Sequence, residues 1–291
     1  MEIRELRAFI AVAEEGSVSA AGRKLHVSQS AVSQTIQSLE RQLGVRLLVR
    51  GAGGVTLTEA GTTLLRSARA LIARHDRALT EVTGQSPATL RVGVPLEFPA
   101  DLLPRAVAEM GAAFPRSRLE VRHASSTAQL DELRSGSLDV GLLRSRPSDP
   151  SYDAVLAVEE ALGVLLAAAR ADELSGPCGV QLHQLAGLAW VAFARSEAPD
   201  WYDQVTATLR AHGISPGDEG NSLIAEVKFA AVADGQAFAL SPPRDGALPD
   251  GIVWRPLVGN PLIRRTWAVW PADSTRRDLA ALVAALDLTS R

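Results

Sequence analysis

Residues 25–44 read LHVSQSAVSQTIQSLERQLG, and this stretch decides how the first part of the chain folds. At about 100° per helical residue, its apolar side chains share one face: Val32, Ile36, Leu39 and Leu43. A second face carries hydrogen-bonding groups that are mostly uncharged: Gln29, Ser30, Ser33, Gln34, Gln37 and Arg41. Solvated helix faces ordinarily use Glu and Lys, whereas Gln and Ser can pair with base edges. The pattern predicts a helix that packs by one side and reads DNA with the other; a solvated Gln- and Ser-rich face is the alternative.

The preceding residues predict two further helices. Apolar residues within 3–15 recur at helical spacing, and Gly16 ends that helix. Ser17 can cap a short second helix that runs to Leu25. Ser28 can cap the third helix, and its hydroxyl can donate to a phosphate. This order is typical of a helix-turn-helix.

A short hairpin is predicted after Gly44, where the third helix ends. Segments 45–49 and 55–57 flank a glycine-rich tip that begins at Arg50, which is the composition of a wing beside the helices. The glycine run lacks the Gly-Lys-Ser/Thr ending of a nucleotide-binding loop, so we expect no nucleotide there.

Residues 3–65 resemble the winged helix-turn-helix of LysR-type transcriptional regulators. The matching runs are FIAVAEEGS at 9–17, SAA at 19–21, LHVSQSAVS at 25–33, LGVRL at 43–47 and LTEAG at 57–61. Two positions depart from the family pattern, because proline is usual at Ser30 and arginine is frequent at Gln34. The resemblance implies that DNA is contacted by Ser28, Gln29, Ser30, Ser33, Gln34 and Gln37, with Arg50 at the DNA backbone.

A long helix from Glu59 to residue 84 is predicted next, about 40 Å in length. Residues spaced four and three apart form a heptad seam: Leu64, Ala68, Leu71, His75, Ala78 and Val82. A second line repeats every seven residues: Leu65, Ile72 and Leu79. We expect a second copy of the chain to cover this seam, as the linker helices of the family do; packing on the chain's own body is the alternative.

From residue 88 onward, apolar strands alternate with helices, which predicts a mostly parallel α/β sheet. Strands are predicted at 90–94, 119–122, 138–143, 162–166, 189–193 and 237–240, and helices at 102–114, 127–135, 199–212 and 221–234. This part resembles the effector-binding domain of the same family, which is similar to a two-lobed periplasmic binding protein.

The predicted organisation is therefore an α/β chain in three parts. Residues 1–58 form the winged helix-turn-helix, and 59–87 form the linker helix and a hinge. Residues 88–291 form the effector domain. Its lobe one covers about 88–163 and 266–291, and its lobe two about 164–265.

The effector is expected beyond the carboxyl ends of the strands, where such sheets bind ligands. The loops there contain Glu97, Phe98, Ser125, Ser126, Thr127, Arg144, Phe193, Ala194 and Arg195. In family members that sense aromatic carboxylates, Ser126 and Arg144 match the pattern, whereas Glu97 stands where a hydroxyl is usual. We expect Glu97 and Arg144 to face one gap between the lobes, where they bind a ligand or pair with each other. A solvated Glu97 and a surface Arg144 are the alternatives.

Composition excludes several other classes of protein. The 291 residues are 46% hydrophobic and 22% charged, with a net charge of −3. Residues 1–87 carry +3 and the rest −6, so a polyanion is expected to bind the first part. The longest apolar run, 161–169, is shorter than the roughly 20 residues of a membrane span. The charged first twenty residues argue against a signal peptide, so we expect a cytoplasmic location.

Neither catalysis nor a metal is predicted. The five histidines have no metal-ligand spacing, the single Cys178 cannot form an internal disulfide, and no catalytic motif occurs. We therefore expect no enzymatic activity and no cofactor.

The sequence predicts a sequence-specific DNA-binding transcriptional regulator controlled by a small effector bound between two lobes. Expected partners are double-stranded DNA, the effector, further copies of the chain in a homodimer or a dimer of dimers, and RNA polymerase, but no membrane. The first alternative is a small-molecule receptor of the solute-binding type without DNA binding. The second alternative is an α/β enzyme whose N-terminal part is regulatory.

Overall fold

The computed structural model describes residues 1–51, 54–83, 89–216, 224–243 and 246–288, except for the side chains of 50, 77, 78 and 80–83. The described chain forms two compact units. One contains the residues before 84 together with 131–138, and the other contains 89–130 and the residues from 139 onward.

The first unit is a winged helix-turn-helix followed by a long helix, as predicted. Its elements are α1 (Ile3–Glu15), α2 (Val18–Lys24), α3 (Gln29–Leu43), β1 (Leu48–Gly51), β2 (Gly54–Leu57) and α4 (Glu59–Thr83). The hydroxyls of Ser17 and Ser28 cap α2 and α3, which confirms both predicted helix starts. Gly44 ends α3 with φ 70°, a left-handed conformation that residues with a Cβ rarely adopt.

Close backbone packing fixes the start of α4 beside the wing. The hydroxyl of Thr58 accepts a hydrogen bond from the Gly61 amide at 2.9 Å and donates one to the Arg46 carbonyl at 2.8 Å. A Cβ at Gly61 would stand 2.1 Å from the carbonyl oxygen of Leu47, so glycine is required at this crossing. The helix therefore leaves the hairpin in a defined direction.

The second unit contains two sheets. Its elements are β3 (Thr89–Val94), α5 (Leu102–Ala113), β4 (Arg118–His123), α6 (Ser126–Ser135), β5 (Val140–Leu143), β6 (Tyr152–Ala161), β7 (Gly163–Ala167), α7 (Ala168–Leu174), β8 (Ser175–Gly176), β9 (Gly179–Val180), β10 (Ala189–Trp190), α8 (Pro199–Ala211), α9 (Ala225–Val232), β11 (Ala237–Ser241), β12 (Ile252–Pro256), β13 (Ile263–Pro271) and α10 (Arg277–Leu286). The last part of α6, from residue 131, belongs to the first unit.

The first sheet has the strand order β4-β3-β5-β13-β6 and the second has β10-β11-β7-β12. Both sheets are mixed, which corrects the prediction of a mostly parallel sheet. The strands β3, β4 and β5 are parallel, but β13 runs antiparallel to β5 and β6, and β7 runs antiparallel to both of its neighbours. Parallel and antiparallel strands occur together because the chain passes from β6 in the first sheet to β7 in the second through a single residue, and later returns to the first sheet as β13.

The two crossings between the sheets position the candidate site. Leu162 alone separates β6 from β7, and β13 re-enters the first sheet at Ile263. Arg264 and Arg265, which we predicted in lobe two, are thus part of the first sheet. Each sheet has its own core: Leu90, Met110, Leu142 and Leu282 are buried in the first, and Val164, Leu185 and Phe238 in the second.

Candidate functional site

The polar face of α3 points to solvent because the opposite face is anchored in the core of the first unit. Val32, Ile36 and Leu39 are buried in that core with Phe9 and Val12. The predicted DNA-contacting side chains of this helix are exposed apart from the half-buried Ser33: Ser28, Gln29, Ser30, Gln34 and Gln37. The structure thus brings these six residues onto one accessible surface.

Leu43 is not part of the buried face that we predicted for α3. It is 40% exposed, because the last turn of the helix extends past the core before it ends at Gly44. Val45, which we placed in the first strand of the wing, is also exposed, and that strand begins at Leu48. These residues leave an apolar surface beside the start of α4.

Side-chain hydrogen bonds organise the N-terminal end of α3. The Ser28 hydroxyl accepts from the Ala31 amide at 3.2 Å and lies 2.9 Å from the Ser30 hydroxyl. The Ser19 hydroxyl, on α2, donates to the Oε1 atom of Gln29 at 2.7 Å. Because the Gln29 carbonyl is engaged in this way, its amide nitrogen is the part suited to donate to a base acceptor.

The wing is a two-stranded antiparallel hairpin whose register runs from Leu48 opposite Leu57 to Gly51 opposite Gly54. The backbone of Arg50 pairs with Val55 in this ladder. The Arg50 side chain and tip residues 52 and 53 lie outside the described part of the chain, so the contact of Arg50 with DNA stays a prediction.

The predicted seam on α4 divides into two parts. Its N-terminal part packs within the chain: Ala68 is fully buried and Leu64 packs against the core of the first unit. Our assignment of Ala68 to a partner interface is therefore wrong, because no Ala68 surface is left to contact a partner. Leu71 and Leu79, farther along the helix, are 46% and 52% exposed.

Polar contacts accompany the packing of α4. Arg7 and Glu14 of α1 form ion pairs with Asp76 and Arg69 of α4, at 2.5 and 2.9 Å. The half-buried His75 on the seam lies with Nδ1 3.1 Å from the Asp76 carboxylate. The side chains of Ala78 and Val82 are outside the described residues, so their place in the seam stays a prediction.

Glu97 is the centre of the candidate effector site in the second unit. Its carboxylate accepts from the Lys228 ammonium at 2.7 Å and from the Arg264 guanidinium at 2.7 Å. All three side chains are less than 10% exposed. Burial disfavours the ionised carboxyl, but the charges of Lys228 and Arg264 outweigh it and lower the pKa of Glu97.

Arg264 also binds Glu160, so the connected ion pairs extend to the end of β6. There the polypeptide crosses from the first sheet to the second, and we call this place the sheet junction. Its guanidinium donates to the Glu160 carboxylate at 2.9 Å and to the backbone carbonyl of Glu97 at 2.9 Å. Lys228 donates in addition to the Leu240 carbonyl at 3.0 Å. These bonds link the loop after β3 and the start of β13 to the helix α9 and to β11, a strand of the second sheet.

Arg144 is buried and binds oxygens of the same loop. Its guanidinium donates to the Thr266 hydroxyl at 2.6 Å, to the Leu96 carbonyl at 2.5 Å and to the Glu97 carbonyl at 3.3 Å. Its backbone amide donates to the Ser126 hydroxyl at 3.1 Å. Burial, and then the nearby charge of Arg264, hold the pKa of Arg144 well below its usual range.

These contacts correct three of the alternatives for the effector site. Glu97 is not a solvated loop residue, and Arg144 is not a surface arginine, since both are buried. Their side chains do not form the predicted pair either, because Arg144 donates to the backbone of Glu97 while the carboxylate binds Lys228 and Arg264. Glu97 adopts φ 56°, and its carboxylate contacts Lys228 on α9 and Arg264 at the start of β13.

The remaining predicted effector residues have varied surroundings. Phe193 is buried against Trp190 and Tyr202, with ring centroids about 6 Å apart. The Thr127 hydroxyl donates to the Ser196 carbonyl at 2.7 Å, which ties α6 to the loop that precedes α8. Ser125 caps the start of α6 through the Ala128 amide, Phe98 packs on the core of the first sheet, and Ala194 is half-buried. Arg195 is exposed and forms a bidentate pair with Asp203 at 2.7 and 2.8 Å.

A small cavity lies beside the Glu97 carboxylate. Its volume is about 20 Å³, and its lining combines charged and apolar side chains: Glu97, Lys228, Arg264, Leu162, Trp190, Val191, Phe193, Trp201, Val205 and Leu240. Sequence reasoning missed Lys228, Arg264, Glu160, Trp190 and Trp201. One signal was present, since Lys228 is one of only two lysines in the chain and stands in the apolar run AEVKFAAV.

Within the described ranges, no group of three or more His, Cys, Asp or Glu side chains could hold a metal ion. No helix in that part of the chain is both long and apolar enough to cross a membrane.

Comparison with known proteins identifies the family. Residues 3–62 match the model of the bacterial regulatory helix-turn-helix protein, lysR family, and residues 83–288 match the LysR substrate binding domain. The HTH-type transcriptional regulator BenM of Acinetobacter baylyi is 30% identical over 244 residues, which cover 83% of this chain and 80% of BenM.

Solved structures are similar over the whole chain. The crystal structure of CbnR, a LysR family transcriptional regulator, has a TM-score of 0.72 at 26% identity and covers 98% of each chain. Full-length CbnR complexed with its target DNA gives a TM-score of 0.71 at 26% identity, with 98% of this chain and 99% of that chain covered. This protein belongs to the LysR family of transcriptional regulators, with an N-terminal DNA-binding domain and a C-terminal effector-binding domain.

Proposed function

We propose that α3 enters the major groove and that its neutral polar face reads the operator. The observation that carries this proposal is the exposure of Gln29, Gln34 and Gln37 on a helix whose opposite face is fixed in the core. Amide side chains can bond bidentately to adenine. Ser28, Ser30 and Ser33 supply hydroxyls on the same surface, and Arg50 contacts the DNA backbone.

We propose that the regulator is a homodimer held by α4, with a dimer of dimers as its larger assembly. Support comes from Leu71 and Leu79, two large apolar side chains that are about half exposed on a helix of 25 residues. His75 lies on the same stripe, and Ala78 and Val82 extend it by spacing. RNA polymerase is the further protein partner of this proposal.

We propose that a small-molecule effector binds between the two sheets of the second unit, beside Glu97 and Phe193. Support comes from the cavity there and from buried charges on both sides of it. The protein works by binding rather than by catalysis, and its location is cytoplasmic. The working boundaries are 1–58 for the DNA-binding domain, 59–87 for the linker and 88–291 for the effector domain.

Fluorescence anisotropy with the full-length protein tests this function. The ligand is a labelled duplex from the region upstream of the protein's own gene, and the control is a shuffled duplex of equal length and composition. We expect the native duplex to bind at least about 1,000-fold more tightly at physiological salt, the lower end of the usual range for specific binding. Equal affinity for both duplexes would contradict sequence-specific recognition, and no binding to either would favour a receptor without DNA binding.

A further inference from the structure

Glu40 is an acidic residue beside a surface that we propose binds a polyanion. At about 100° per residue it lies about 20° from Gln29 around α3, three turns further along the helix. It is half-buried, on the boundary between the polar face and the side that buries Ile36. A carboxylate close to DNA phosphates is repelled by them, so its presence at this position indicates a role other than contact with DNA.

The Glu40 carboxylate binds the backbone where the wing begins. Its Oε1 atom accepts a hydrogen bond from the Leu47 amide at 2.7 Å and another from the Leu48 amide at 3.2 Å. Both leucines are buried, and a buried amide that lacks an acceptor is strongly unfavourable. An ionised carboxylate is also a stronger acceptor than a neutral group. Glu40 therefore satisfies the backbone as the chain enters β1.

These bonds fix the first strand of the wing relative to α3. A groove of about 910 Å³ lies between this part of α3 and the wing, and its lining includes Gln37 on the helix and Val49 on the strand. Glu40 also lines the groove, and its bond to Leu48 ties α3 to β1.

The second strand of the wing is held at a different place. The amide of Val55 on β2 donates to the carbonyl of Gly16, the residue that ends α1, at 2.8 Å. The wing is thus anchored at β2 by the end of α1 and at β1 by a side chain of the helix that we propose reads DNA. Loss of the Glu40 anchor would free β1 to move relative to α3.

We propose that Glu40 is a positioning residue for DNA binding, which sets the angle between α3 and the wing. Arg50 follows Leu48 by two residues on the same strand, so a displacement of the Leu48 backbone is passed on to Arg50. With the angle fixed, α3 reads bases while Arg50 reaches the DNA backbone. This inference rests on the proposed function, and it adds a residue that acts on DNA through the wing.

Two other roles for Glu40 lead to different expectations. If its carboxylate only repelled phosphate, any neutral replacement would bind DNA more tightly. If it only stabilised the first unit, substitutions would change the fraction of folded molecules but not the affinity of each folded molecule. In a positioning role, what counts is whether the side chain has an acceptor that reaches the two amides.

The test separates reach from charge in the full-length protein. Glu40→Gln keeps an Oε1 acceptor at the same distance and loses the charge. It should bind the upstream duplex within about threefold of the wild type, because a neutral acceptor still bonds to the amides, though less strongly. Glu40→Asp keeps the charge but is shorter by one methylene. It should bind about tenfold more weakly at about 0.1 M salt and flatten the salt dependence by about one unit, the effect of one lost phosphate contact. Fluorescence anisotropy at several salt concentrations measures both changes.

A double variant shows whether the effect passes through the wing. Arg50→Ala removes the proposed phosphate contact directly. Adding Glu40→Asp to it should weaken binding by less than about twofold more, because the contact that Glu40 positions is already gone. Two independent tenfold effects would instead multiply to about 100-fold.

Amide hydrogen exchange supplies the folding control and observes the hydrogen bonds themselves. The Leu47 and Leu48 amides should lose protection in Glu40→Asp and keep it in Glu40→Gln. Protection of the Ile36 amide in α3 gives the folded fraction, so that affinities are compared for folded molecules. Glu40→Met, which fills a similar volume without an oxygen, carries the same expectation as Glu40→Asp and replaces it if that variant does not fold.

Several results would overturn the role of Glu40 while leaving the proposed function in place. These are wild-type affinity and salt dependence in folded Glu40→Asp, binding by Glu40→Gln that is tighter than that of the wild type, and independent effects in the double variant. If Arg50→Ala itself leaves the salt dependence unchanged, the proposed phosphate contact fails and the inference fails with it. Base reading is measured apart from both, by the discrimination of the wild type between its upstream duplex and the shuffled one.

Discussion

The polar face of α3, which we propose reads DNA, and the charge cluster of Glu97, Lys228 and Arg264 use polar side chains in opposite ways. On α3 the groups are neutral, mostly exposed, and supplied by the single run 28–37. In the cluster Glu97, Lys228 and Arg264 are charged and buried, and Arg264 stands 167 positions after Glu97. Exposed neutral groups stay hydrated until DNA replaces the water, whereas buried charges must be satisfied within the protein. Substitutions should therefore impair recognition in the first region and folding in the second.

The largest effect is expected for Arg264→Met. Arg264 is buried between Glu97 and Glu160, and removal of one member of a buried ion pair typically costs 3–5 kcal/mol because the remaining charge loses its partner. All five tryptophans of the chain lie in the second unit, so urea unfolding followed by tryptophan fluorescence reports on that unit.

The neighbouring residue provides a matched control for this variant. Arg265 pairs with Glu159 at 2.7 Å, but both side chains are exposed, and such pairs contribute about 0–1 kcal/mol. Arg265→Met should therefore unfold close to the wild type. Similar losses in the two variants would mean that burial does not distinguish the cluster from an ordinary surface pair.

Prediction from sequence succeeded in the first region because its information is local. The periodicity of residues 29–39 placed the buried and polar faces of α3, and Ser28 and Gly44 marked its ends. The ends of a helix are set by tertiary contacts as well, which is why Leu43 was assigned to the core although the core stops before it.

The charge cluster was predicted only in part, because its residues are far apart in the sequence and only the topology of the two sheets brings them together. The predicted ends of strands pointed to Glu97, Arg144 and Ser126. The structure brings these three together, since Arg144 bonds to Ser126 and to the carbonyl of Glu97. The ionic partners Lys228 and Arg264 could not be found from strand ends. Lys228 lies within the helix α9, and Arg264 lies on β13, a strand that the alternation of strands and helices did not predict. A lysine within an apolar helix was the one local indication.

The next effect concerns α4, where a substitution should separate protomers without unfolding them. Leu71 is 46% exposed in the protomer, so Leu71→Glu should leave the fold intact. In a dimer the new charge would be buried without a partner, at a cost of about 3 kcal/mol, which corresponds to a roughly 100-fold weaker association. Sedimentation velocity over a range of concentrations measures this change.

Arg66 offers the control for Leu71→Glu, because it is exposed and stands about 140° away around α4. We expect Arg66→Glu to keep the association of the wild type. If both variants remain as associated as the wild type, the C-terminal part of α4 is not the dimer interface.

In the winged helix-turn-helix, two substitutions should distinguish a residue that reads bases from one that binds phosphate. Gln29→Ala should lose about 1–3 kcal/mol of discrimination at one or two base pairs. Arg50→Ala should weaken binding to all sequences alike and flatten the salt dependence by about one unit. Anisotropy on a panel of single-base variants, repeated at several salt concentrations, distinguishes the two patterns.

The structure adds a control to this pair. Ser19 holds the Gln29 carbonyl at 2.7 Å, so Ser19→Ala should free the Gln29 side chain and reduce the same discrimination by a smaller amount. Identical patterns for Gln29→Ala and Arg50→Ala would show that the two roles are assigned wrongly.

The smallest effect is expected at Ser28, where one hydroxyl is assigned both to stability and to DNA. Its Oγ atom caps α3 through the Ala31 amide at 3.2 Å, and loss of such a cap costs about 1 kcal/mol. Ser28→Ala should lose this amount, whereas Ser28→Gly should lose only a few tenths of a kcal/mol, because glycine is itself a fair N-cap residue. Amide hydrogen exchange within α3 measures the difference. Both variants lack the hydroxyl that would donate to phosphate, so they should bind DNA with equal weakness once each is fully folded. If Ser28→Gly instead binds DNA like the wild type, the Ser28 hydroxyl serves the helix alone, and the phosphate at this helix start is held by backbone amides.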